Sequence, residues 1–324
     1  MKYQWLAAPI AAGVLAFGVT ACGSSDNGST SGTGGGNLSG AVAVDGSSTV
    51  FPFAQAAAEG LQGQNPDVKV TVGESGTGGG FEKFCAGETD ISNASRPIDA
   101  EKEVPTCEKN GVQYAEVLVA NDGIAIVTNK DLAIACLSTD QLKALWNSKS
   151  TVKDYAELGK QPDGTAVPAG KVSLYGPGTD SGTFDFFTDK INGEKGDTRK
   201  DYQPSEDDNI LVQGVSGDKT GLGYFGFSYY ESNADKLNLV AVDGGSGCVK
   251  PSVATIQDGS YKPLSRPLFM YVNTKSLAEK PQVKGFIDYV AANSADIAKI
   301  AKIVPLTDAQ LQTSKDELAK AEGA

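Results

Sequence analysis

Three times in this chain a short run of β-branched and apolar residues gives way to a cluster of serine, threonine and glycine, and the cluster to a helical pattern. AVAV leads into GSSTVFPF, VKVTV into GESGTGGGFEKF, and KVSLY into GPGTDSGTFDFF. Strands alternating with helices specify layered α/β architecture, and ligands of open α/β sheets lie beyond the carboxyl ends of the strands. A helix starting there offers free N–H groups and the positive end of its dipole to an anion. Ser48, Thr49, Ser75, Thr77, Ser181 and Thr183 add hydroxyls, and Gly76, Gly78 and Gly182 let the backbone approach closely. Singly, each cluster reads as an ordinary turn with a Ser or Thr cap. Three of one kind point to one small anion held among them.

The rest of the chain keeps the alternation. VQYAEVLVA, GIAIVTN, LNLVAV and PLFMYVN read as further strands, and helices are expected near 53–64, 79–86, 139–146, 182–190, 282–293 and 294–303. No period of 20 to 50 residues is visible, which argues against solenoids and propellers.

Composition narrows the chemistry. The chain has no histidine, so Ser-His-Asp and Cys-His catalysis and His-ligated zinc are excluded. Its 28 basic and 40 acidic residues give a formal net charge of −12, the wrong sign for a general nucleic-acid binder. Arginine is scarce, with Arg96, Arg199 and Arg266 the three present. Arg96 sits in DISNASRPI, beside the hydroxyl of Ser95 and the rigid Pro97, a setting for a forked guanidinium contact to a tetrahedral oxyanion. The competing reading of Arg96 is a salt bridge. Arg266, which repeats the Ser-Arg-Pro triplet, and Arg199 read as structural. Gly221 to Gly226 fits G-x-G-x-x-G, but no strong strand precedes it and the aromatic run FGFSYY follows instead of a helix start, so it does not read as a dinucleotide site. Neither a Walker A motif nor a G-x-S-x-G elbow occurs. Asp207-Asp208 reads as solvated charge rather than a glycosidase pair.

Residues 1–21 begin with Lys2, continue as an apolar stretch from Trp5 to Ala21, and read as a signal peptide. Val19-Thr20-Ala21-Cys22 resembles the lipobox of bacterial lipoproteins, which implies that Cys22 carries the lipid. Residues 22–40 are then the lipidated cysteine and a tether: GSSDNGSTSGTGGGNLS is too polar to bury, and 17 flexible residues reach roughly 20–25 Å on average. The four other cysteines suit an oxidising exterior. Of three pairings, Cys85 with Cys107 closes a short loop and leaves Cys136 with Cys248. No metal site and no cofactor are expected.

GSSTV, SGTGGGFEKFCAGETDISNASRPI, YGPGTDSGTFDFF, SEDDNILVQGV and GLGYFGFSYY, in this order over residues 46–230, together resemble the phosphate-binding lipoproteins that feed bacterial phosphate ABC importers. The resemblance implies a two-lobe periplasmic-binding-protein (Venus-flytrap) fold of type II-like α/β class, its lobes joined by two crossing strands. On this chain lobe 1 is expected to span 41–120 plus 264–324 and lobe 2 to span 121–263. It implies a monomeric, lipid-anchored receptor on the outer face of the cell membrane, without enzymatic activity, that passes inorganic phosphate to a permease driven by a cytoplasmic ATPase. Carried over by position, its loops fall on Ser48-Thr49-Val50, on Ser75 to Gly78, on Ser95-Arg96 and on Ser181-Gly182-Thr183. The best-known branch has an aspartate near the third loop and an arginine shortly before Ser-Gly-Thr, where this chain has Ser95 and Pro177. Asp180, Asp122 and then Glu74 are the candidates for a carboxylate that accepts the phosphate proton. Sulfate, molybdate or tungstate binding, and an exported phosphatase, are the competing functions.

Overall fold

The computed structural model describes residues 38–179, 181–205 and 207–323. The signal peptide, Cys22 and nearly all of the tether lie outside them, as does Asp180.

The first two junctions form at the outset of the fold. Strand β1 (Gly40–Gly46) runs into helix α1 (Phe51–Gln64), and β2 (Val68–Val72) into α2 (Gly76–Cys85). Pro52 is accommodated in the first turn of α1, where a missing N–H costs no helical bond. Next come β3 (Ile91–Ala94), α3 (Glu103–Lys109) and β4 (Tyr114–Asn129), a single 16-residue strand where two were expected. The polar pair Asn121-Asp122 does not break it, because both residues are paired across to Pro267 and Arg266. The chain continues through β5 (Cys136–Ser138), α4 (Thr139–Trp146) and the third junction, β6 (Ser173–Pro177) into α5 (Gly182–Phe187), which runs on as a π-helical turn to Asn192. β7 (Gln203–Ser205), α6 (Asp208–Gly217), β8 (Gly221–Gly226), α7 (Phe227–Glu231), β9 (Leu237–Asp243), β10 (Cys248–Val249) and α8 (Val253–Gln257) follow. The glycine fingerprint is thus itself a strand, β8, rather than a strand-to-helix turn.

β11 (Ser265–Asn273), α9 (Thr274–Glu279), α10 (Pro281–Ile300) and α11 (Asp308–Glu322) close the chain. The two helices expected over 282–303 are one run, kinked at Asn293.

The main sheet runs β2-β1-β3-β11-β4-β8-β6-β7, with β9, β5 and β10 branching from β4. β1, β2 and β3 are parallel; β11 is antiparallel to both β3 and β4. β4 changes partners along its length: Tyr114 to Gly123 pair with β11, whereas Ile124 to Asn129 pair with β8 and β9. Two large apolar cores flank this changeover. One gathers residues between Ile124 and Leu264, with Val304, around Trp146, Phe187 and Tyr224. The other gathers residues of 42–120 and 268–318 around Phe53 and Phe286. β4 and β11 are therefore the two crossing strands of the two-lobe α/β fold. Cys85 is bonded to Cys107 and Cys136 to Cys248. Among the described residues no helix is long and apolar enough to cross a membrane.

Candidate functional site

A cavity of about 410 Å³ opens where the two halves of the sheet meet. Its walls include Ser47, Ser48 and Thr49 from the loop after β1, Gly76 to Gly78 from the start of α2, Ser95 to Pro97 after β3, and Gly182 from α5. The first turn of a helix leaves its N–H groups without intrahelical acceptors, and the first turn of α2 lies in the cavity wall at Gly76 to Gly78. Thr77 and Ser95 hold each other: their hydroxyl oxygens are 3.1 Å apart, and the Ser95 N–H donates to Thr77 Oγ1 at 3.2 Å. Gly182 crosses to the opposite wall. A Cβ placed on it would lie 2.6 Å from Ser48 Oγ and 2.7 Å from Thr49 Oγ1.

Behind this wall the donor loops are tied to one another. The buried Asp45 carboxylate accepts from the N–H of Gly46, from both the N–H and the hydroxyl of Ser75, and from Lys83 Nζ. Burial raises the pKa of Asp45, yet Lys83 and these donors outweigh it and leave the group below the usual carboxylate range. Gly80 of α2 packs backbone to backbone, for a Cβ there would sit 2.5 Å from Gly46 Cα.

Of the residues singled out from sequence, the structure brings Ser48, Thr49, Gly76, Thr77, Gly78, Ser95, Arg96 and Gly182 to the cavity. Val50, Ser75, Glu74, Asp122, Ser181 and Thr183 are not in its wall. Val50 is fully buried and donates its N–H to Ser47. Ser75 turns toward Asp45, and the Ser181 hydroxyl caps α5 by accepting from the Thr183 N–H. Arg96 has its fork occupied: Nη1 and Nη2 donate to the two Glu103 oxygens at 2.9 and 2.7 Å, and Nη1 also reaches the Pro97 carbonyl. Glu103 raises the Arg96 pKa accordingly.

Arg266, which the sequence reading took as structural, lines the cavity. Its Nε donates to Asp122 Oδ2 at 3.1 Å, its Nη2 donates to Thr49 Oγ1 at 2.7 Å, and its guanidinium carbon lies 3.9 Å from the centre of the Phe186 ring. Burial lowers the pKa of this guanidinium, and Asp122 counters the shift. The signal was in the repeat. Both Ser-Arg-Pro triplets reach the same cavity because β3 ends, and its antiparallel neighbour β11 begins, at the same edge of the sheet. Arg199, by contrast, is structural: buried, it donates to Asp201 and to the Leu145 and Val152 carbonyls. Asp185 and Asp189 also face the cavity, paired with Lys195 at 2.6 Å and Lys190 at 2.8 Å, and were not anticipated. Among the described residues no cluster of acidic, cysteine or histidine side chains could hold a metal. The cavity thus combines hydroxyls, backbone N–H groups and guanidinium, donors that suit the oxygen atoms of an anion, with Asp185, Asp189, Lys190 and Lys195 also in its wall.

Residues 27–294 match the family model of the PBP superfamily domain. The chain is 45% identical over 266 residues to protein SphX of Synechococcus elongatus, covering 82% of this chain and 77% of that one. It is 40% identical over 296 residues to the phosphate-binding protein PstS of Staphylococcus saprophyticus, covering 90% and 89%. Among solved structures it is similar to a possible phosphate binding protein from Planctomyces limnophilus, with 41% identity, a TM-score of 0.80 and coverage of 88% of this chain and 99% of that one.

Proposed function

Because this chain belongs to the PBP superfamily and has the PstS and SphX proteins as relatives, we propose that its cleft captures inorganic phosphate outside the cytoplasm and releases it to an ABC permease. The observation that carries the reading is the convergence on one cavity of three loops rich in hydroxyl and N–H donors, together with arginine. Ser48, Thr49, Thr77 and Ser95 from one side and Gly182 from the other would surround the oxygens, with the first turn of α2 adding N–H groups. Fixed neutral dipoles of this kind hold an anion locally even though the chain is acidic overall.

Phosphate near neutral pH keeps a proton that sulfate lacks, and a carboxylate facing that proton favours phosphate while opposing sulfate. Asp180, Asp122 and Glu74 were the sequence candidates. Asp122 is engaged by Arg266, and Asp185 joins the group as a carboxylate in the cavity wall. We assign 41–120 with 264–324 to one lobe and 121–263 to the other; the division of apolar residues between the two cores supports this, with Leu264 and Val304 as the two exceptions. We further assign Cys22 as a lipid anchor on the outer membrane face, and the receptor as a monomer without enzymatic activity.

Calorimetric titration of the purified protein with phosphate, sulfate, molybdate and tungstate tests the reading. Stoichiometric binding of unaltered phosphate with weaker binding of the others is expected. Preference for another oxyanion, or turnover of a phosphate ester, would overturn it.

A further inference from the structure

Resting on the reading of the cleft as an oxyanion site, we propose that Arg266, rather than Arg96, supplies the guanidinium that grips the anion. A guanidinium binds a tetrahedral oxyanion through a planar fork, so it must have an edge to offer and a fixed plane. Arg96 fails the first condition, since Glu103 takes both of its Nη groups and its side chain is 45% exposed. Arg266 meets both. Asp122 takes only Nε, Thr49 takes Nη2 through a hydroxyl, and none of the described residues accepts a hydrogen bond from Nη1. Phe186 restrains the group through a cation–π contact, its ring centre 3.9 Å from the guanidinium carbon, while burial strengthens any charge-assisted bond it makes.

Position adds a second argument. Arg266 stands at the start of crossing strand β11, opposite Asp122 on crossing strand β4. Thr49 belongs to the loop before α1 and Phe186 to α5, so the guanidinium is held from both sides of the cleft at its base. An anion seated on Nη1 would be reached by the Ser48-Thr49 loop and by Gly182 together. Asp122 then acts as a positioning residue, setting the direction of the fork through Nε.

The three arginines make the test direct. Protein labelled with 15N-arginine gives three Nε–H signals, assigned by the variants Arg96→Lys, Arg199→Lys and Arg266→Lys, or by elimination should one of these fail to fold. Saturating inorganic phosphate should move the Arg266 signal most. By calorimetry, Arg266→Lys should weaken phosphate binding at least about tenfold and Arg96→Lys by less than about threefold, since an ammonium cannot copy a fork. A structural role for Arg266 would instead lower the melting temperature of the phosphate-free variant and leave its affinity intact, overturning the proposal. Movement of the Arg96 signal in place of that of Arg266 would also overturn it. If the wild-type protein binds phosphate while all three signals stay still, this inference falls and the phosphate reading stands; if it binds no oxyanion, both fall.

Discussion

Replacing Gly182 by alanine separates ligand affinity from stability. Gly182 is the first residue of α5, and its backbone is not in the left-handed region, so the chain accepts a Cβ there without strain of its own. The obstruction comes from across the cleft. The new methyl would lie 2.6 Å from Ser48 Oγ, 2.7 Å from Thr49 Oγ1 and 3.2 Å from Thr49 N. Ser48 can swing its hydroxyl aside. Thr49 cannot do so freely, because Arg266 Nη2 holds Oγ1 at 2.7 Å, and its backbone N moves only with the loop. Relief requires the two walls to part by several tenths of an ångström, and overpacking of this kind costs about 1–3 kcal/mol. The cost falls only on the form in which the walls meet, so the dissociation constant for phosphate should rise by roughly 5- to 150-fold. Stability should move the other way, by up to ~1 kcal/mol, because alanine restricts the unfolded chain and suits a helix better than glycine. Calorimetry with phosphate and thermal melts without it measure the two quantities separately. An affinity within twofold of wild type would refute the reasoning, as would a melting temperature that falls in step with affinity.

Removing the Cys85–Cys107 bridge with serine at both positions should lower the urea-unfolding free energy by about 3 kcal/mol, from release of a 22-residue separation in the unfolded chain; a loss well under ~1 kcal/mol would contradict this. Burial raises the pKa of Asp90, but Lys280, the Ala43 N–H and Ser276 outweigh it and set the carboxyl below its ordinary 3.8. A depressed folded pKa adds stability above the unfolded value that is lost as pH falls through the folded one. Asp90→Asn should therefore be clearly less stable than wild type at pH 7, with the gap closing as pH drops below about 4; a gap constant down to pH 2 would contradict that origin. Cys22→Ala should shift the protein from the membrane to the soluble fraction, and a variant that still sediments with membranes would end the anchor assignment.

The three strand-to-helix junctions were legible because each carries its own signals: a β-branched run, a turn-forming cluster, then helical periodicity. What could not be read was anything decided between segments. The Ser75 hydroxyl is indistinguishable in sequence from that of Thr77, yet one turns back to Asp45, 30 positions earlier, and the other faces the cavity. Arg96 and Arg266 sit in the same tripeptide. Glu103, seven residues on from Arg96, occupies its fork, while Arg266 meets Asp122 only through the register of two strands 144 residues apart. Local context made Arg96 the better candidate, and strand pairing gave Arg266 the deeper place. The same pairing explains why β4 runs unbroken through Asn121 and Asp122, which by composition alone look like a turn.

The backbone-on-backbone seat of Gly80 against Gly46, with Asp45 fastened to both loops, has a kinetic consequence. Two of the donor loops are already fixed relative to each other by folding, so an arriving anion orders nothing on that wall and sacrifices little entropy there. The rate of capture then depends on diffusion against the repulsion of a chain with net charge −12, a barrier that dissolved salt screens. On the proposed reading of the cleft, residence time would be set elsewhere, by how long Gly182 stays against Ser48 and Thr49. Substitutions at Gly80 should therefore act on the entropy of binding and those at Gly182 on the rate of release.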